Sequence, residues 1–208
     1  MHLYLLRHAE DRPTPRPPHT RRLTDRGHRQ AWAAARWLAG QHPTEIRSST
    51  LARARRTADA VGREAGLPVR EDPHLNEIHW ESPTGESLPH PRENRWYPPP
   101  PGAESWHDFM GRVALSVSGL CRNASRGQRI VLVTHSGFFD AVQELLNGGG
   151  SRVELKVAHT GITQWEYRPG CFGGSWLLHR HNIVPGLSPL PSPTPDGPGN
   201  PGGTEPNT

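Results

Sequence analysis

Ile130-Val131-Leu132-Val133-Thr134-His135-Ser136-Gly137 carries the strongest sign of the chain's architecture. A continuous apolar run this short, closing on a polar turn, reads as a central strand of a parallel sheet, buried on both faces. On its C-terminal side, Phe138, Val142, Leu145 and Leu146 give the apolar face of a helix that stops at the triple glycine 148–150. On its N-terminal side, Trp106, Phe109, Val113, Val117 and Leu120 recur at steps of 3, 4, 4 and 3, an amphipathic helix with its aromatics in the core. Leu3 to Leu6 is a second short apolar run, and it ends at Arg7-His8.

Between these landmarks the chain alternates. Leu23-Thr24-Asp25-Arg26-Gly27 opens a helix, with Thr24 as N-cap, Asp25 in the first turn and Ala31, Ala34, Ala35 and Leu38 on one face to about Gly40. Glu45 to Arg47 reads as a short strand. Thr50 to Ala65 reads as a helix carrying Leu51, Ala54, Ala58 and Val61 on one side. Pro68 to Arg70, Val153 to Val157, Thr163 to Tyr167 and Trp176 to His179 are further candidate strands. Residues 82–102 are rich in proline and polar residues and read as an irregular excursion over the site. From Ile183 the chain is mostly proline, glycine and small polar residues, so a domain over 1–182 and a disordered tail over 183–208 are expected. The strand–helix alternation predicts an α/β fold, a three-layer α/β/α sandwich with a mostly parallel central sheet. Ligands bind such sheets at the carboxyl ends of the strands, where His8 and His135 both fall if their strands are neighbours.

The 208 residues suffice for one domain with a sizeable core. No stretch approaches a membrane span, and the first residues lack a basic leader before a long apolar run, so neither membrane attachment nor a signal peptide is expected. Cys121 and Cys171 make neither a disulfide framework nor a zinc motif. A cytoplasmic location is the expectation. The net charge of +4 is carried by arginines, Lys156 being the only lysine. They are scattered rather than gathered in a basic arm, which argues against a nucleic-acid partner.

Any one of thirteen histidines means little by itself. Arg7-His8 differs by its company: a guanidinium for phosphate oxygens stands beside a nucleophilic imidazole at a strand end. Taken alone, Arg53 reads as a surface arginine, Glu77 as an exposed carboxylate, His135 as a loop residue capping the next helix and Ser136 as part of a plain helix start. His179-Arg180-His181 offers two metal ligands with no others in register, and His79 stands near Glu77 without an assigned role.

Several segments together resemble one family. Leu6-Arg7-His8-Ala9-Glu10 resembles the Arg-His-Gly opening of the histidine phosphatase (phosphoglycerate-mutase-like) superfamily, with alanine in the glycine slot. Leu23 to Ala31 resembles its first-helix signature, and Ser48 to Ala58 its Ser-x-Leu-x-Arg-Ala-x-x-Thr-Ala motif. Leu75-Asn76-Glu77, Pro101-Gly102-Ala103-Glu104-Ser105 and Val133-Thr134-His135-Ser136-Gly137 resemble three more, all in the family's order.

The resemblance implies a phosphoglycerate-mutase-like fold and a metal-independent phosphatase acting on a small phosphorylated substrate, with no cofactor. It implies that His8 takes the phosphoryl group, that Arg7, Arg53 and His135 hold its oxygens, and that Glu77 protonates the leaving oxygen and then activates water. Ser136 and Gly137, at a helix start, offer further donors to the anion. Crowded cations are expected to keep His8 neutral, with its second ring nitrogen on a backbone carbonyl.

The family's mutases carry a Ser and an Asn soon after the first motif and a longer basic insertion. Here Ala9-Glu10-Asp11-Arg12-Pro13 stands at that start, and the insertion before Pro101 is short, which favours hydrolysis. Phosphoglycerate-mutase-type transfer is the alternative, followed by a non-catalytic module binding a phospho-ligand or nucleic acid. No oligomeric state follows from the sequence.

Overall fold

The computed structural model describes residues 1–12, 20–80, 98–147, 155–171 and 173–186. In chain order the elements are β1 (His2–Arg7), α1 (Asp25–Ala39), β2 (Glu45–Ser48), α2 (Ala52–Ala65), β3 (Val69–Glu71), a 3-10 turn (Pro73–Leu75), α3 (Trp106–Arg122), β4 (Arg129–Thr134), α4 (Ser136–Leu146), β5 (Ile162–Gly170) and β6 (Gly173–Ile183). They form one sheet in the order β3-β2-β4-β1-β5-β6. β3, β2, β4 and β1 run parallel, and β5 and β6 complete the sheet antiparallel. The mostly parallel α/β sandwich expected from the sequence is the fold.

The continuous apolar runs are central because both faces of each are covered. Leu3, Leu5, Ile130 and Leu132 pack with Trp106, Phe109, Val113 and Phe138 of α3 and α4. Tyr4, Leu6, Val131 and Val133 face Ala34, Leu38, Ala54 and Val61 of α1 and α2. Alanines at the α1–α2 contact let the two helices sit close to each other and to the sheet. Phe109 is fully buried, and its truncation to alanine costs about 3–5 kcal/mol.

Local chemistry sets the boundaries. Thr24 caps α1, its Oγ1 accepting from Gly27 N at 2.9 Å while donating to Glu10 Oε1 at 2.8 Å. Ser105 caps α3 by accepting from Asp108 N. α2 starts two residues later than the periodicity suggests, because Thr50 N and Oγ1 both donate to Asn76 Oδ1, at 2.9 and 3.0 Å.

Three expectations shift. Of the expected strand Val153 to Val157, residues 155–157 are described and are irregular: the Val157 side chain fills the α3/α4 core while its carbonyl accepts from Arg7. β6 extends past His179, and Ile183, expected to open the tail, is its last residue, paired with Ile162 and packed on the α1/α2 core. The excursion over 82–102 lies outside the described residues except for 98–102, and the tail except for 183–186. Among the described residues no helix is long and apolar enough to cross a membrane.

Candidate active site

β1 and β4 are parallel neighbours, with Arg7 opposite Thr134, so the residues that follow them emerge side by side. His8 N donates to Thr134 O at 2.9 Å, and the rings of His8 and His135 stand 5.0 Å apart. The two histidines are buried.

His8 is held in one tautomer. Its Nδ1 lies 2.8 Å from the Ala9 carbonyl, which can only accept, so Nδ1 carries the proton. Nε2 accepts from Arg53 Nε at 3.2 Å, so it is the unprotonated nitrogen and Arg53 holds its lone pair until a substrate displaces that bond. Burial lowers the His8 pKa well below its ordinary value, and Arg53 and Arg7 add to the effect. The expectation of a neutral His8 holds, with desolvation rather than cation crowding as the larger cause. Ala9, in the glycine slot, is fully buried with no positive φ, and its N–H donates to Thr57 Oγ1. Thr57 Oγ1 donates in turn to the Arg53 carbonyl, tying the loop that carries His8 to the helix that carries Arg53.

Arg7 Nη1 donates to Val157 O at 2.5 Å, and its buried Nε has no hydrogen-bond partner among the described residues. Arg53, in the first turn of α2, is buried rather than solvated. His135 Nε2 bonds Ser49 Oγ at 2.8 Å. Because the Ser49 hydroxyl donates to Asn76 Oδ1, also at 2.8 Å, Nε2 is the protonated nitrogen. Its Nδ1 is buried without a partner among the described residues. Burial lowers the His135 pKa strongly, with His8, Arg53 and Arg7 acting in the same direction.

Glu77 follows the 3-10 turn, which Thr134 Oγ1 fastens to β4 by donating to Leu75 O at 2.7 Å. Its carboxylate accepts from Ile78 N at 3.1 Å and Gly137 N at 3.3 Å, with Ser136 Oγ at 3.5 Å. Burial pushes its pKa up, against those N–H groups and the nearby Arg53 and Arg7. Gly137 is required here, since a Cβ would run into Glu77 Oε1. The Ser136 hydroxyl therefore faces Glu77, at the first residue of α4.

Residues that sequence reasoning missed complete the site. Arg112 donates to both Glu104 oxygens, at 2.7 and 2.8 Å, and to the carbonyls of His74, Asn76 and Glu77, at 2.8, 2.8 and 3.2 Å. Glu104 N donates to His79 O and Glu104 Oε2 accepts from His79 N, so His79 serves through its backbone while its side chain is exposed. Glu104 lay within a quoted motif; nothing in the sequence marked Arg112. The His159 ring stands 5.5 Å from that of His8, and a ring nitrogen of each lies within 4.8 Å of an Asp11 carboxylate oxygen. His179 and His181 are drawn apart: His179 Nε2 bonds Glu166 Oε2 at 2.7 Å, whereas His181 bonds Thr163 and the Lys156 carbonyl.

Known proteins resemble this chain in sequence and in fold. Residues 3–182 match the histidine phosphatase superfamily (branch 1). A glucosyl-3-phosphoglycerate phosphatase of Mycolicibacterium vanbaalenii is 33% identical over 184 residues, covering 75% of this chain and 81% of the relative. A protein of the same name from Mycobacterium tuberculosis is 31% identical over 183 residues, 79% of this chain and 76% of the relative. The solved native structure of a mycobacterial glucosyl-3-phosphoglycerate phosphatase superposes with a TM-score of 0.73 at 27% identity, covering 88% of this chain and 99% of that one. With its motifs in order, its fold shared and nearly all of its described body matched, the chain belongs to the histidine phosphatase superfamily.

Proposed function

We propose that this chain is a phosphoric monoester hydrolase that works through a phosphohistidine on His8. The observation that carries the reading is the tautomer of His8: Nδ1–H held by the Ala9 carbonyl at 2.8 Å, and Nε2 unprotonated, its lone pair meeting the Arg53 guanidinium beside His135. A neutral imidazole with a directed lone pair is a nucleophile, and two guanidiniums beside it stabilise charge on transferred oxygens.

In the first half-reaction, His8 Nε2 attacks phosphorus and the bond to the ester oxygen breaks. Glu77, whose raised pKa suits an acid, gives its proton to that oxygen. In the second half-reaction, Glu77 takes a proton from water, the water oxygen bonds to phosphorus, and the phosphorus–nitrogen bond breaks. Arg7, Arg53 and the α4 start at Ser136 hold the phosphoryl oxygens throughout, joined by His135 once its Nδ1 takes up a proton. Each such donor is worth on the order of 10²–10³ in rate. The substrate is a small phosphorylated metabolite, and glucosyl-3-phosphoglycerate, named for the relatives, is the first to try. Hydrolysis is favoured over mutase chemistry by the phosphatase names of the relatives matched over most of their length.

The test is hydrolysis of an aryl phosphate by wild type and His8→Ala, each with excess chelator. Activity that survives chelation and disappears in the variant supports the reading. Activity lost on chelation, or retained by His8→Ala, refutes it.

A further inference from the structure

Asp11 is an odd residue to find beside a phosphate pocket. Its side chain is only 10% exposed, and its Oδ2 is buried with no hydrogen-bond partner among the described residues. Arg21 Nη1 stands 3.9 Å from that oxygen, beyond hydrogen-bond reach. Buried acceptors are nearly always satisfied, so an unpartnered one at the mouth of a site calls for a donor from a ligand. Across from it stands His159, half-buried, carried on a loop tied to β1 by Thr160 N donating to Arg7 O at 3.1 Å.

We propose that Asp11 and His159 together bind a hydroxyl group of the leaving alcohol, so that the enzyme selects phosphomonoesters of polyols and sugars over those of plain alcohols. This rests on the phosphatase reading above and names the substrate class of that site.

The spacing suits a hydroxyl. A carboxylate oxygen of Asp11 and a ring nitrogen of His159 lie no more than 4.8 Å apart, and each is within the same distance of a His8 ring nitrogen. One hydroxyl that donates to a carboxylate at about 2.7 Å and accepts from an N–H at about 2.9 Å, at a near-tetrahedral angle, spans roughly 4.6 Å. Arg7 and Arg53 alongside oppose a metal cation there. The protonation states agree: burial, with Arg7, lowers the His159 pKa, so the ring is neutral and has an N–H to give. A hydroxyl can donate to the carboxylate and accept from the ring N–H at once.

The position agrees as well. In-line attack sets phosphorus roughly 3–3.5 Å from His8 Nε2, with the ester oxygen one bond beyond. A hydroxyl on the neighbouring carbon then falls within reach of a carboxylate that lies within 4.8 Å of His8.

The experiment compares kcat/KM of the full chain for glycerol 1-phosphate and n-propyl phosphate, which share a three-carbon chain. Taking the ratio within one preparation cancels differences in active fraction. Wild type should favour the glycerol ester by tenfold or more, since the propyl ester leaves the buried carboxylate unpaired. Asp11→Ala and His159→Ala should each bring the ratio near one, while Asp11→Asn, which keeps a carbonyl acceptor, retains part of it. Equal rates in wild type, or an unchanged ratio in both alanine variants, overturns the inference and leaves the phosphatase reading standing. Release of phosphate from neither ester counts against the phosphatase reading and takes this inference with it.

Discussion

Arg112→Lys tests how the acid is positioned. The guanidinium spends its N–H groups on Glu104 and on the carbonyls of His74, Asn76 and Glu77. A lysine ammonium has three donors on one atom and cannot reach both Glu104 oxygens and all three carbonyls. At least two acceptors lose their partner. Arg112 and Glu104 are each 19% exposed, so water replaces those bonds poorly. At roughly 1–3 kcal/mol per unsatisfied group, the expected loss of stability is about 3 kcal/mol. In a chain of this size that is roughly 2–4 °C in Tm for each kcal/mol.

The functional effect is separable from the structural one. The freed segment carries Glu77, and a displacement of about 1 Å at a reacting group costs up to about 10²-fold. An alkyl alkoxide cannot leave without a proton, whereas 4-nitrophenolate can. The variant should therefore lose about 10²-fold in kcat on an alkyl phosphate and only a few-fold on 4-nitrophenyl phosphate. The assay is steady-state phosphate release with both substrates at a temperature well below the variant's Tm. Equal losses on the two substrates would mean that Arg112 supports the fold without placing the acid, and the reasoning would be refuted.

Other outcomes follow from the same contacts. Glu77→Gln should reduce alkyl-phosphate turnover by about 10²–10⁴ while retaining vanadate binding, since it removes a proton donor and no cation; loss of vanadate affinity would contradict this role. Gly137→Ala should mimic part of that defect, because its Cβ meets Glu77 Oε1, and a crystal structure with Glu77 unmoved would show the contact to be harmless. Phosphate binding should take up a proton, since the buried Nδ1 of neutral His135 has none to donate to a phosphoryl oxygen; calorimetry in buffers of different ionisation enthalpy reads this directly, and a buffer-independent heat rejects it. The lowered pKa of His135 also predicts a pH effect on stability. Below about pH 6.5 the unfolded chain takes the proton before the folded one, so stability falls with pH by up to about 1.4 kcal/mol per unit until the folded-state pKa is reached. His135→Asn should flatten that part of the slope, and identical slopes would argue that His135 is not buried neutral.

The sheet was legible because a strand covered on both faces must be continuously apolar, as Leu3 to Leu6 and Ile130 to Val133 are. The helices were legible because one-sided burial imposes a 3.6-residue period, visible in Trp106 through Leu120. The site was legible only in part. Arg7-His8 announces itself at a strand end, whereas Arg53, Glu77 and His135 needed the order of motifs, since nothing local distinguishes a buried arginine or carboxylate from a solvated one, or a pocket histidine from a helix cap.

The fold class, the sheet's core and the surroundings of His8 could be read along the chain, since these depend on periodicities and on residues adjacent in sequence. Which ring nitrogen of His8 is unprotonated, that Arg112 grips the segment bearing Glu77, and that Asp11 stands near His159 emerge only in the folded molecule. Those facts depend on desolvation and on hydrogen bonds closed between segments far apart in sequence, such as Arg7 to the Val157 carbonyl, and no local pattern encodes where such partners meet.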